Sequence, residues 1–102
     1  MKIADLVTEA HAQARASGWY EQDEATPAEI AVRLALIHAE VSEALEEVRR
    51  GVTGEAFAAE LADVVLRVAD LAGWLNIDLE TALARKMARN AVRPYRHGGK
   101  VL

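Results

Sequence analysis

Two long apolar stripes at helical spacing, separated by only a few residues, constrain this chain more than any other feature. Ile30, Leu34, Ile37, Val41, Leu45 and Val48 form the first; Phe57, Leu61, Val64, Val65, Val68, Leu71 and Leu75 form the second. Both recur every three or four residues, the spacing that places side chains on one face of an α-helix. The connection Val52-Thr53-Gly54 leaves room only for a reversal, so the two helices are expected to pack as an antiparallel hairpin. Their ends are marked as well. Thr26-Pro27-Ala28-Glu29 supplies a capping hydroxyl, a proline for the first turn and a glutamate able to reach back to the cap. Gly51, after Arg49-Arg50, is placed to end the first long helix, and the second is expected to end near Asn76.

Shorter helices flank this pair. Ile3, Leu6, Val7, Ala10 and Ala14 predict a helix over about residues 2 to 16, stopped by Ser17-Gly18. Asp78 caps a fourth helix carrying Leu79, Leu83 and Met87, which must end before Pro94 because the residue preceding a proline avoids helical geometry. Trp19–Ala25 reads as a polar loop, and the tail from Tyr95 through Gly98-Gly99 as a segment that is mobile or folded over a partner. The hydrophobic content comes largely from Ala, Leu and Val with five aromatic residues in all, a bias toward closely packed helices. The expected fold is therefore all-α and a single domain over residues 1–102. A chain this short leaves much of its surface unburied unless protomers associate, so a homo-oligomer is expected.

The charge balance excludes several classes of partner. With 12 Lys+Arg against 16 Asp+Glu the net charge is −4, so no overall attraction to a nucleic-acid polymer or an anionic membrane is expected. There is no cysteine, which removes disulfides and thiolate metal sites. Lys2 and Asp5 interrupt the first residues, which lack an apolar run of signal-peptide length, and no stretch approaches the roughly 20 apolar residues of a spanning helix. A cytoplasmic location is the expectation.

Acidic residues on the long helices carry the chemistry. At 100° per residue, Glu40, Glu43 and Glu47 fall within roughly 60° of one another on one flank of the first stripe. Glu60 and Asp63 stand in the same relation to the second. Antiparallel packing lets the flanks meet, within a protomer or across two, so that four carboxylates converge. Such convergence opposes folding through like-charge repulsion unless a cation is bound. Glu40 and Glu43 alone read as a solvated helix flank; Glu60 and Asp63, set inside the apolar segment AELADVVLRVADLAGW, do not. The donors are all oxygen, with no histidine at i+3 or i+4, which suits Mg²⁺ and argues against zinc. Ions held there would neutralise a polyphosphate, orient it and acidify a water.

These residues resemble a known family. LIHAEVSEALEEVRR over Leu36–Arg50, then ELADVV over Glu60–Val65, is similar to the E-E-x-x-E and E-x-x-D signature of the MazG-like nucleoside triphosphate pyrophosphohydrolases, and the likeness extends through Leu71–Pro94. The resemblance implies a four-helix bundle assembled as a homodimer or dimer of dimers. It also implies Mg²⁺-dependent cleavage of the α,β-phosphoanhydride bond, with Mn²⁺ as a substitute ion. Glu40, Glu43, Glu60 and Asp63 match the metal-binding acids. Ala39 stands where the signature has its leading glutamate, which leaves the number of ions and the general base open; Glu47, one turn beyond Glu43, is a substitute for it.

Lys86, Asn90 and Arg93 share one face of the fourth helix, and similar Lys and Asn positions in the family lie near the triphosphate. For Arg93, complementing the helix dipole is an equal alternative. Trp19 and Tyr20 form either a wall for a nucleobase or an anchor for the first helix. His38 lies about 160° from Glu40 around the helix and is expected to be a packing or interface residue. Trp74 is assigned to packing, while His11 and His97 carry no signal. The expected activity is hydrolysis of (deoxy)nucleoside triphosphates to monophosphate and pyrophosphate, in nucleotide-pool house-cleaning. The alternatives are a phosphoribosyl-ATP pyrophosphohydrolase and a non-catalytic helical dimer that binds a protein.

Overall fold

A computed structural model describes residues 1–21 and 24–102 of the chain. Gln22 and Asp23, part of the loop expected over Trp19–Ala25, lie outside the described residues. Among those described there is no strand, and four helices carry the fold: α1 Ile3–Ala16, α2 Pro27–Arg49, α3 Glu55–Trp74 and α4 Leu79–Ala91. A left-handed turn follows at Arg96–Gly99, with positive φ at each of its four residues.

The ends of the helices follow from local chemistry. Thr26 accepts a hydrogen bond from Glu29 N at 3.2 Å, and Asp78 accepts from both Thr81 N (3.0 Å) and Thr81 Oγ1 (2.7 Å), as expected of N-caps. The return half of the first cap does not form, because Thr26 N donates to the Glu24 carbonyl at 3.0 Å. Gly51, with φ 77°, ends α2: its N–H reaches the Val48 carbonyl and the Val52 N–H reaches that of Glu47, both at 2.9 Å. Asn76 performs the same left-handed reversal for α3, which ends two residues earlier than expected, at Trp74.

The central helix is α3. It packs against α1 on one side and α2 on the other, while α4 meets α1 near the start of the chain. Small residues set the spacing. Ala10, Ala44, Ala69 and Ala72 are buried along these seams, and a Cβ placed on Gly73 would stand 2.7 Å from the His11 Cβ and 3.1 Å from the Val7 carbonyl oxygen. Only glycine lets α1 and α3 approach so closely.

Packing of this kind leaves the larger apolar side chains outside. Leu34, Val41, Leu45, Val48, Leu61 and Val65 are all exposed, and among the described residues no large side chain is fully buried. The accessible surface is 7701 Å², whereas a compact monomer of this mass exposes about 5,700 Å². The radius of gyration is 16.0 Å, against about 13 Å for a compact domain of this length. A single chain is thus an open layer of helices with one apolar surface uncovered. No helix among the described residues is long and apolar enough to cross a membrane.

Candidate metal-binding site

Antiparallel pairing of α2 with α3 sets residue 40 beside residues 63 and 67, and residue 43 beside residue 60. On α3, Glu60, Asp63 and Arg67 lie within about 60° of one another on the flank that faces α2. Three carboxylates converge as a result: Glu40, Glu60 and Asp63 each offer an oxygen, and these atoms lie within 4.8 Å of one another. Two of the three come from α3 at i and i+3, one from α2, so the grouping depends on the register of the hairpin.

The electrostatics of the cluster are unbalanced. The Glu40 side chain is 12% exposed, and its Oε1 accepts a 2.8 Å hydrogen bond from Arg67 Nε. Glu60 Oε2 is buried with no hydrogen-bond partner. Glu43 sits at the exposed rim, where a shared hydrogen bond with the Glu60 carboxyl, then the charges of Glu40 and Glu60, hold its pKa above the ordinary value. Four acids thus stand near two guanidiniums, Arg67 against Glu40 and Arg50 at the rim with Glu43 and Glu60. An orphaned buried oxygen, converging carboxylates and an all-oxygen donor set together fit a hard divalent cation.

Beside the acids, a cavity of about 190 Å³ opens between α1, α2 and α3, with Glu40, Asp63, Arg67 and Asp70 on one side and Trp19 and Arg33 on another. Trp19 is 60% exposed and stands at this cavity, so the structure brings it to the acidic site. Arg33 Nη2 fixes the turn by donating to the Trp19 carbonyl at 2.6 Å. Its guanidinium lies over the Tyr20 ring, 4.3 Å from the centroid, and its Nε is buried without a partner.

Lys86, Asn90 and Arg93 are placed elsewhere in the chain. They are exposed on α4 and just beyond it, on the element that packs chiefly against α1. Within one protomer they are not gathered with Glu40, Glu60 and Asp63. His38 is exposed on α2. Glu47 lines a second cavity of about 260 Å³ together with Glu43, Glu46, Arg50 and Glu60, one turn away from the three converging acids.

Sequence reasoning passed over Arg67, which the wheel of α3 places on the acidic flank one turn after Asp63; reading cations as well as acids on that flank would have found it. It also passed over a second cluster. Asp70 accepts from Tyr20 Oη at 2.7 Å and pairs with His11 Nδ1 at 2.9 Å, while Tyr20 packs edge-on to His11 and tilted against Trp74. Burial, and then the Asp70 carboxylate, push the Tyr20 phenol above its ordinary range. Of the two roles open to the loop aromatics, Tyr20 takes the anchor, being 6% exposed, and Trp74 takes the packing role expected of it. Comparison with protein-family models, with curated proteins and with solved structures finds no match to this chain.

Proposed function

We propose that this chain is a divalent-cation-dependent nucleoside triphosphate pyrophosphohydrolase, with Glu40, Glu60 and Asp63 holding the ion and Glu43 completing the set at the rim. One observation carries the reading: the carboxylate oxygens within 4.8 Å of one another, with a buried Glu60 oxygen that no group among the described residues satisfies. The similarity of LIHAEVSEALEEVRR and ELADVV to the MazG-like signature supports the same chemistry from the sequence. When bound, Mg²⁺ supplies charge neutralisation for a polyphosphate and acidifies water.

The chain's own residues then have defined tasks. Glu40 and Asp63 line the cavity that adjoins the acids, so a substrate entering it meets carboxylate-held charge at one end and the exposed Trp19 ring at the other. Its volume of about 190 Å³ is below the roughly 300 Å³ at which ligand pockets begin. It therefore accommodates one end of a nucleotide while the phosphates extend over the acidic rim. Arg67, which donates to Glu40 and lines the same cavity, would be the guanidinium partner of a phosphate oxygen.

A homodimer or dimer of dimers belongs to this proposal, with the exposed Leu34, Val41, Leu61 and Val65 stripe as the surface across which two hairpins close a four-helix bundle. House-cleaning of the cytoplasmic nucleotide pool is the role such an activity would serve. The test is incubation with a panel of standard and modified nucleoside triphosphates, phosphoribosyl-ATP included, in Mg²⁺, with monophosphate, diphosphate, pyrophosphate and orthophosphate resolved. Monophosphate and pyrophosphate in equal amounts are expected, and Asp63→Asn should lower turnover by about a hundredfold or more with helical circular dichroism unchanged. Ala39, in place of the leading glutamate, is the feature that favours the protein-binding alternative, and no turnover of any substrate in the panel would count against the hydrolase.

A further inference from the structure

Arg33 stands among carboxylates and pairs with none of them. It lines the cavity of about 190 Å³ together with Glu40, Asp63 and Asp70, yet among the described residues it forms no ion pair. Aromatic rings take the place of an acid. Its guanidinium lies 4.3 Å from the Tyr20 centroid and 5.3 Å from that of Trp74, and Nη2 donates to the Trp19 carbonyl at 2.6 Å. Tyr20 is fixed in turn by its 2.7 Å hydrogen bond to Asp70. A guanidinium held over ring faces keeps its charge and has its plane set before any ligand arrives. Because Nε is buried, the terminal nitrogens Nη1 and Nη2 are the donors a ligand can reach.

The other polar groups of the cavity narrow what that fork can meet. An arginine only donates. Of the acceptors nearby, both Asp70 oxygens are taken, by Tyr20 and His11, Glu40 Oε1 is taken by Arg67, and Asp63 belongs to the proposed ion site. The capacity left at the Trp19 end is therefore mainly that of a donor, so the ligand group entering there has to accept. It also has to be flat, to lie against the exposed Trp19 ring.

Two nucleobase edges offer neighbouring acceptors to a planar fork: O6 and N7 of a 6-oxopurine, and N3 and O2 of cytosine. The cytosine O2 adjoins the sugar, which in this site faces the acids and not Trp19. Adenine replaces O6 by an amine donor, and the O4 of uracil or thymine has no acceptor beside it. We propose that Arg33 is the specificity-determining residue of the site and selects 6-oxopurine nucleotides, those of guanine and hypoxanthine, over adenine and cytosine nucleotides. The inference rests on the proposed hydrolase for the direction in which the phosphates run, and deepens it by naming the base.

Inosine and adenosine 5′-monophosphates carry the same charge and nearly the same shape, and differ at the 6-position of the base. By isothermal titration calorimetry in Mg²⁺, wild type should bind the inosine compound about tenfold or more tightly, as a bidentate contact to the base allows. Guanosine monophosphate should follow inosine, and its 7-deaza analogue, which lacks the N7 acceptor, should bind several-fold more weakly. Arg33→Lys keeps the charge and loses the fork, so the inosine-to-adenosine preference should fall close to one. Tyr20→Phe keeps a ring under the guanidinium while loosening the fold, and should leave the preference in place, which shows that destabilisation alone does not imitate the effect. Adenosine or cytidine monophosphate binding as tightly as inosine monophosphate overturns the proposal. So does an unchanged affinity for the 7-deaza analogue, a preference that survives Arg33→Lys, or no measurable binding of any of these monophosphates. Turnover of the triphosphates decides the hydrolase separately: a protein that prefers inosine monophosphate and cleaves nothing counts only against the enzyme, and one that cleaves ATP, CTP and ITP with equal kcat/KM counts only against the role given to Arg33.

Discussion

Asp63 and Asp70 lie two turns apart on α3, and the chain treats them in opposite ways. The Asp70 carboxylate itself is matched: 17% exposed, it takes hydrogen bonds from Tyr20 and His11, and the Arg33 guanidinium lies over the Tyr20 ring with its Nε left without a partner. Around Asp63 the carboxylates are not matched. Glu60 keeps a buried oxygen without a partner, a hydrogen bond to Glu60 and the neighbouring charges hold the Glu43 carboxyl above its ordinary pKa, and Arg67 answers Glu40 alone. A matched cluster stabilises the fold as it stands. The unmatched one stores repulsion that a bound cation would relieve, which is what the proposed function asks of these acids.

That contrast is broken most sharply by substitution at each centre. Tyr20→Ala removes a buried aromatic and both of its ring contacts, so a loss of about 3–5 kcal/mol in unfolding free energy by urea denaturation is expected. Tyr20→Phe leaves Asp70 short of one donor, at about 1–3 kcal/mol. Asp63→Asn, on the same helix, should shift stability by no more than about 0.5 kcal/mol in ion-free buffer. Equal losses at the two positions would mean that both clusters are structural.

Divalent cation should separate the centres next. At one hundred times its Kd, an ion bound only by the native state adds about 2.7 kcal/mol. Wild type and Tyr20→Phe should both show that gain in Mg²⁺, read as a rise in melting temperature, and Glu60→Gln should lose it. A melting curve that ignores millimolar Mg²⁺ in wild type would remove the cation from the account of Glu40, Glu60 and Asp63.

The two centres also differ in how far the sequence announces them. Glu40, Glu43, Glu60 and Asp63 repeat at helical spacing on elements whose ends are written locally, by Thr26-Pro27, Gly51 and Asn76, so residue spacing alone makes the hairpin and its acidic flank legible. Nothing local pairs His11 with Asp70. That contact exists because Gly73 and the surrounding alanines let α1 approach α3, and because the turn after Gly18 folds Tyr20 back under Arg33. Arg67 is hidden for a different reason: a lone arginine on an acidic flank reads as solubility until its distance to Glu40 is known. The position of α4 is the least legible, since its stripe of Leu79, Leu83 and Met87 calls for a partner surface without saying which chain supplies it.

The smallest effect is a dependence on pH, and its sign distinguishes the two kinds of carboxylate. Glu43 has a folded-state pKa raised above its ordinary 4.5 by the Glu60 hydrogen bond and the neighbouring charges. Its contribution is therefore complete below 4.5 and lost as pH rises through the folded value, as the carboxyl ionises against Glu40 and Glu60. Asp78 runs the other way: the Thr81 hydroxyl and then its N–H hold the carboxyl below its ordinary 3.8, so its stabilisation is present above 3.8 and lost as pH falls through the folded value. Stability in ion-free buffer should thus decline on both sides, with Asp78 responsible for the acid limb and Glu43 for the limb above 4.5. Glu43→Gln should flatten the upper limb and leave the lower one, and saturating Mg²⁺ should flatten the same limb in wild type by neutralising the charges that oppose ionisation. Persistence of that limb in Glu43→Gln would place the repulsion on other groups, and the acidic rim would then be no more than a solvated helix face.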